Sequence, residues 1–125
     1  MKNVTQKILL SAIATSSMFA PPALAQNLNG TWQCAQRTSR GNYETASIQV
    51  QGNRFSAQVS HNYLGNYQAT GNVHFDPATS QLFFHGGNTS IPGPIVNFLV
   101  DLQNDRQGYR SSCQGDVCIE TRCQR

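Results

Sequence analysis

From residue 30 onward the apolar side chains of this sequence fall on alternate positions, in short runs broken by glycine, proline, asparagine or aspartate. A period of two places one face of an extended strand toward a core and the other toward water. Ala46, Ile48 and Val50 alternate with Thr45, Ser47 and Gln49. After Gln51-Gly52-Asn53, a tight hairpin turn, Phe55, Ala57 and Val59 repeat the pattern. Residues 60–66 break the period; Tyr67, Ala69, Gly71, Val73 and Phe75 then restore it. A proline-containing turn at 76–80 leads to a more apolar strand at 81–85. Residues 86–94 hold three glycines and two prolines, which a central strand does not tolerate, and form the longest loop. Val96, Phe98 and Val100 mark a strand over 95–102, and two last strands, 107–113 and 117–123, flank Gln114-Gly115-Asp116.

With a first strand at 30–37 and a turn at 38–42, the count is eight short strands spaced roughly 10 to 12 residues apart, with no amphipathic helix between them. The fold class is all-β. A small eight-stranded antiparallel meander barrel is the expected architecture, because closure removes the exposed edges of so small a sheet. A sandwich of the same strands is the alternative.

Residues 1–25 have a different character. Lys2 and Lys7 precede an apolar run from Ile8 to Ala20, and Ala23-Leu24-Ala25 closes the segment, the pattern of a secretory signal cut before Gln26. The run is too short and too rich in Ser and Thr for a permanent membrane span. Residues 26–125 are then a single domain with a periplasmic or secreted destination. They contain seven arginines, six acidic residues and no lysine. The net charge of +3 therefore falls to +1 once Lys2 and Lys7 are removed. The arginines are scattered along the chain rather than clustered, so no nucleic-acid footprint is expected.

A domain of this size buries only about two-thirds of its unfolded surface, so covalent support is valuable. Cys34, Cys113, Cys118 and Cys123 all follow the signal, and an even number in an exported chain reads as two disulfides with three possible connectivities. Their spacing lacks the paired knuckle of a zinc site, and no metal is expected. Barrel closure makes the strands of Cys34 and Cys123 neighbours, while Cys113 and Cys118 face each other across a hairpin. Pairing 34 with 123 and 113 with 118 satisfies both. Pairing 34 with 113 would require 118 to reach 123, and those two have opposite parity on one strand.

Gly30-Thr31-Trp32, at the start of the first strand, resembles the G-x-W signature of the calycin barrels: lipocalins, avidins and bacterial metalloprotease inhibitors. The resemblance implies an eight-stranded meander with Trp32 plugging the closed end under a basic residue of the last strand. Arg122 is the expected cover, with Arg110 next.

Catalytic groups are sparse. No phosphate loop, triad or metal-binding motif is present, and Asp76, Asp105 and Asp116 sit in turns where Asp bonds the local backbone. His61, His74 and His85 read as strand or loop histidines rather than ligands. The chain is therefore expected to be neither an enzyme nor a cofactor carrier. In a meander the loops 38–42, 60–66, 86–94 and 114–117 share one rim, and the shorter 51–53, 76–80 and 103–106 share the other. Loops carry function on a rigid scaffold, and barrel mouths bind ligands. Tyr63, Leu64, Ile91 and Pro92 place apolar groups at the long-loop rim. The expected function is an exported binding protein that contacts a small apolar ligand or a protein partner there. An inhibitor of an exported hydrolase, a protease or a lysozyme, is one alternative; a structural envelope-associated protein is another. Tight packing of Phe55, Tyr67, Phe84 and Phe98 inside the barrel would count against an internal ligand.

Overall fold

Each alternating segment forms a strand in a computed structural model of the chain, which describes residues 27–125; the expected signal, 1–25, lies outside the described residues. The strands are β1 (Gly30–Thr38), β2 (Tyr43–Gln51), β3 (Arg54–His61), β4 (Gly65–Asp76), β5 (Gln81–Thr89), β6 (Val96–Asn104), β7 (Gln107–Gln114) and β8 (Val117–Gln124). Every neighbouring pair is antiparallel, and β1 also pairs with β8, so the sheet closes in sequence order. Closure excludes the sandwich. No helix among the described residues is long and apolar enough to cross a membrane.

Register stacks the inward side chains in layers. Trp32, Ile48, Ala57 and Ala69 stand opposite one another across β1 to β4; one layer higher come Cys34, Ala46, Val59 and Tyr67. From the far wall the fully buried Leu82, Phe84, Val96, Phe98 and Val100 complete the core. Phe84 meets Trp32 at 6.1 Å and the edge of Phe55 at 5.8 Å, tilted and T-shaped arrangements that suit aromatic quadrupoles. Phe55, Tyr67, Phe84 and Phe98 all lie in this core, so side chains fill the barrel.

Two features depart from the sequence reading. Strand β5 continues through Gly86 and Gly87 to Thr89, instead of ending at His85, and the loop shortens to 90–95. The glycines permit the extension rather than end it. At the Thr70/Asn72 register shift the backbones of β4 and β5 come so close that a Cβ on Gly71 would sit 2.1 Å from the His85 carbonyl oxygen. Gly86 lies under the Phe55 ring, where a Cβ would meet Cζ at 3.0 Å.

The second departure concerns the cover of Trp32. Arg122 stacks on the Tyr109 ring, 4.6 Å from its centroid, and Arg110 pairs with Asp101 at 3.2 Å. It is Arg125, just beyond β8, that lies over the indole at 4.9 Å. Parity explains the correction: Cys123 points inward to meet Cys34, so Arg122 must point outward. Arg125 is tied down by Nε donating to the Asp105 carbonyl at 2.7 Å and by its terminal nitrogen donating to the Asn29 carbonyl at 3.0 Å. The buried indole N–H donates to the Leu28 carbonyl at 3.0 Å, so the closed end is both packed and satisfied.

Both disulfides pair as closure requires, Cys34 with Cys123 and Cys113 with Cys118. The first is buried in the core and the second braces the exposed β7–β8 hairpin. The barrel wall has one thin place. β6 and β7 pair only over 101–104 and 107–109, and above that fork Val96–Val100 and Arg110–Gln114 have no partner in each other.

Candidate functional site

Above the core the inward positions turn polar. Continuing the β2 pattern Val50, Ile48, Ala46 by two more residues reaches Glu44; continuing the β3 pattern Phe55, Ala57, Val59 reaches His61. Register sets Gln36, Glu44 and His61 side by side as one layer at the long-loop rim. Tyr67, one layer down, donates its hydroxyl to Glu44 Oε2 at 2.8 Å. The Tyr67 phenol is raised well above its usual value, first by burial, then by the hydrogen bond to Glu44 and the negative charge of that carboxylate. Gln36 Oε1 accepts from the buried Thr121 hydroxyl at 2.8 Å.

His61 has a fixed tautomer. Its Nδ1 accepts backbone N–H bonds from Tyr63 at 3.0 Å and Leu64 at 3.2 Å, so the ring proton sits on Nε2. The same contacts shape the β3–β4 turn and bring the Tyr63 ring to 6.0 Å from the imidazole. Asn62 staples this turn to the β1–β2 turn, donating to the Gly41 carbonyl and accepting from the Tyr43 N–H. Ser39 joins the β1–β2 turn to the β7–β8 hairpin, its N–H donating to the Cys118 carbonyl and its hydroxyl accepting from the Cys118 N–H. Three of the four rim connections are thereby cross-linked.

These groups surround an open cleft of about 450 Å³. Glu44, His61 and Tyr67 form its floor, the polar Gln36, Thr38 and Asn42 line one part of its wall, and Tyr63, Leu64, Pro94 and Ile95 line another. Tyr63 is 70% exposed, Ile95 58% and Leu64 50%, an unusual gathering of apolar side chains in water. Of the four rim residues expected from the sequence, Tyr63 and Leu64 line the cleft. Ile91 instead packs against the core and Pro92 stays exposed on its loop, outside the lining. The sequence reading did not select Glu44, Tyr67 or Ile95. Parity was the available signal for the first, since Glu44 shares the face of Ala46, Ile48 and Val50.

His74 and His85 lie on the outer wall beside Phe83, well away from the cleft. Among the described residues, no cluster of three or more His, Cys, Asp or Glu side chains is arranged to hold a metal ion.

No family model matches the chain, and no curated protein matches it. Among solved structures it is similar to a redesigned β-barrel, with a TM-score of 0.60 and 19% identity over 88% of this chain and 98% of that one. It is also similar to a de novo designed fluorescence-activating β-barrel, with a TM-score of 0.55 and 12% identity over 78% of this chain and 92% of that one. At such identities the likeness is one of fold: an eight-stranded antiparallel barrel.

Proposed function

We propose that this chain is an exported, non-enzymatic binding protein, a calycin-like barrel that takes a small, largely apolar ligand at its long-loop rim. One observation carries the reading: a cleft that sets the apolar Tyr63, Leu64, Pro94 and Ile95 beside polar groups opens above an interior already filled by side chains. Its volume lies in the range of small-molecule sites, and placed polar groups beside apolar side chains are what such sites use to orient a ligand. The cross-linked turns hold the walls in place before any ligand arrives, which lowers the entropy cost of binding. The described fold is not specific to this role, though one similar designed barrel is fluorescence-activating. A signal at 1–25, cleaved before Gln26, would take the chain to the periplasm or beyond, where its two disulfides persist.

The second reading, inhibition of an exported hydrolase, draws on the exposure of Tyr63, Leu64 and Ile95, which also suits a protein interface. One experiment separates the two. The purified protein is incubated with envelope extract and recovered, and native mass spectrometry is compared for the parent and the Tyr63→Ala, Leu64→Ser double variant. A retained small mass that the double variant loses supports ligand binding. A retained protein supports the second reading, and a small mass retained equally by both proteins contradicts a rim site.

A further inference from the structure

Glu44 is out of keeping with its position. It occupies an inward site on β2, half-buried, where the pattern below it is Ala46, Ile48, Val50. Burying a carboxylate is costly unless a counter-charge or a full set of hydrogen bonds offsets the lost hydration. Among the described residues there are four ion pairs, which engage Asp101, Asp116 and Glu120 but not Glu44. The remaining acids are both exposed, Asp76 at the end of β4 and Asp105 in the β6–β7 turn. Tyr67 supplies one neutral donor, to Oε2. His61 is held with its Nδ1 turned to backbone N–H groups and makes no ion pair with the carboxylate. A half-buried negative charge thus lines the same cleft as the Tyr63 ring and the apolar side chains of Leu64 and Ile95.

Resting on the rim reading, we propose that the cleft binds a protonated organic amine carried on an apolar body, with Glu44 as its counter-charge. The ammonium group forms charge-assisted hydrogen bonds to the carboxylate, about twice as strong as neutral ones. The apolar body lies against Leu64, Pro94 and Ile95, and the Tyr63 ring adds a face that attracts cations. A carboxylate ligand is repelled, and a neutral one forgoes the charge.

The test uses three probes of matched size, 2-phenylethylamine, 2-phenylethanol and 3-phenylpropanoate, titrated calorimetrically into the purified protein at pH 7. The amine is expected to bind at least tenfold more tightly than either of the others. Glu44→Gln keeps an acceptor for Tyr67 and should weaken the amine at least tenfold while leaving the alcohol within twofold. Equal binding of amine and alcohol, tighter binding of the acid, no saturable amine binding, or no effect of Glu44→Gln each overturns the proposal. The rim reading is judged separately. If the alcohol matches the amine and both are lost in the Tyr63→Ala, Leu64→Ser variant, the rim site stands and the charge assignment falls. If the amine binds the double variant undiminished, the rim site falls as well.

Discussion

Tyr67 is buried in the core yet spends its hydroxyl on Glu44, so the two residues join the packed interior to the cleft. A hydrogen bond to a charged acceptor contributes about 1.5 to 3 kcal/mol, and Tyr67→Phe should lower the urea-unfolding free energy by roughly 1 to 2 kcal/mol, since Glu44 is only half-buried and can recruit water. The pH dependence has a definite sign. The phenol is raised in the folded state, so its contribution is whole below the ordinary tyrosine value of 10.0 and is lost as pH climbs beyond it. Between pH 9 and 11 the urea midpoint of the parent should therefore fall more steeply than that of Tyr67→Phe; parallel curves would mean that Tyr67 does not carry this linkage. Arg125 makes the matching case at the closed end. Removing it as Arg125→Ala takes away a cation over the Trp32 ring and two backbone contacts, and about 1 to 2 kcal/mol of stability should go with them in the same assay. Both ends were legible by parity. Glu44, the partner of Tyr67, lies on an inward face that strict counting by two would have revealed. Arg125 lies two residues past the inward-facing Cys123, so counting by two from the Cys34–Cys123 pair would have set it opposite Trp32, where Arg122 and Arg110 were expected instead.

At the level of strands, alternation foretold all eight elements, because the pattern of burial and the pattern of sequence are the same pattern in a half-buried sheet. Alternation was silent where two backbones, rather than side chains, set the geometry. Gly86 and Gly87 looked like a loop and are a strand, because the value of Gly86 lies in letting β4 and β5 approach at Gly71. Gly71→Ala should cost at least ~2 kcal/mol in thermal or urea unfolding, since its methyl would enter the His85 carbonyl and neither strand can withdraw without breaking the ladder. The fork between β6 and β7 makes a different prediction. Leu102 N–H donates to Ser80, just before β5, and Arg125 N–H donates to Arg106, just before β7, so by alternation Asn97 and Leu99 on β6, and Ser111 and Cys113 on β7, aim their backbone groups across the unpaired gap. Hydrogen exchange should find these four amides less protected than those of Val96, Phe98, Arg110 and Ser112. Uniform protection along both strands would show that the ladder continues past Tyr109.

For the molecule as a whole, the two disulfides do unequal work. The Cys34–Cys123 bridge spans a separation of 89 residues and joins the first strand to the last, whereas Cys113–Cys118 spans 5. In the chain-entropy model these are worth about 4.5 and about 2 kcal/mol. The Cys34→Ala, Cys123→Ala variant should thus lose more than twice the unfolding free energy lost by Cys113→Ala, Cys118→Ala. This connectivity was legible from closure and parity, whereas the make-up of the proposed cleft was only half so: the loop asymmetry led to Tyr63 and Leu64, which line it, but not to Glu44, His61 and Tyr67. What decides function in this account is that the interior is full and the mouth is not. The most direct test follows the backbone amides and the Trp32 indole N–H by nuclear magnetic resonance while 2-phenylethylamine is added. A rim site predicts saturable shifts confined to residues around Gln36, Glu44, His61, Tyr63, Leu64 and Ile95, with the indole signal unmoved; shifts centred on Trp32, Phe84 and Phe98 would place the ligand inside the barrel and contradict the account.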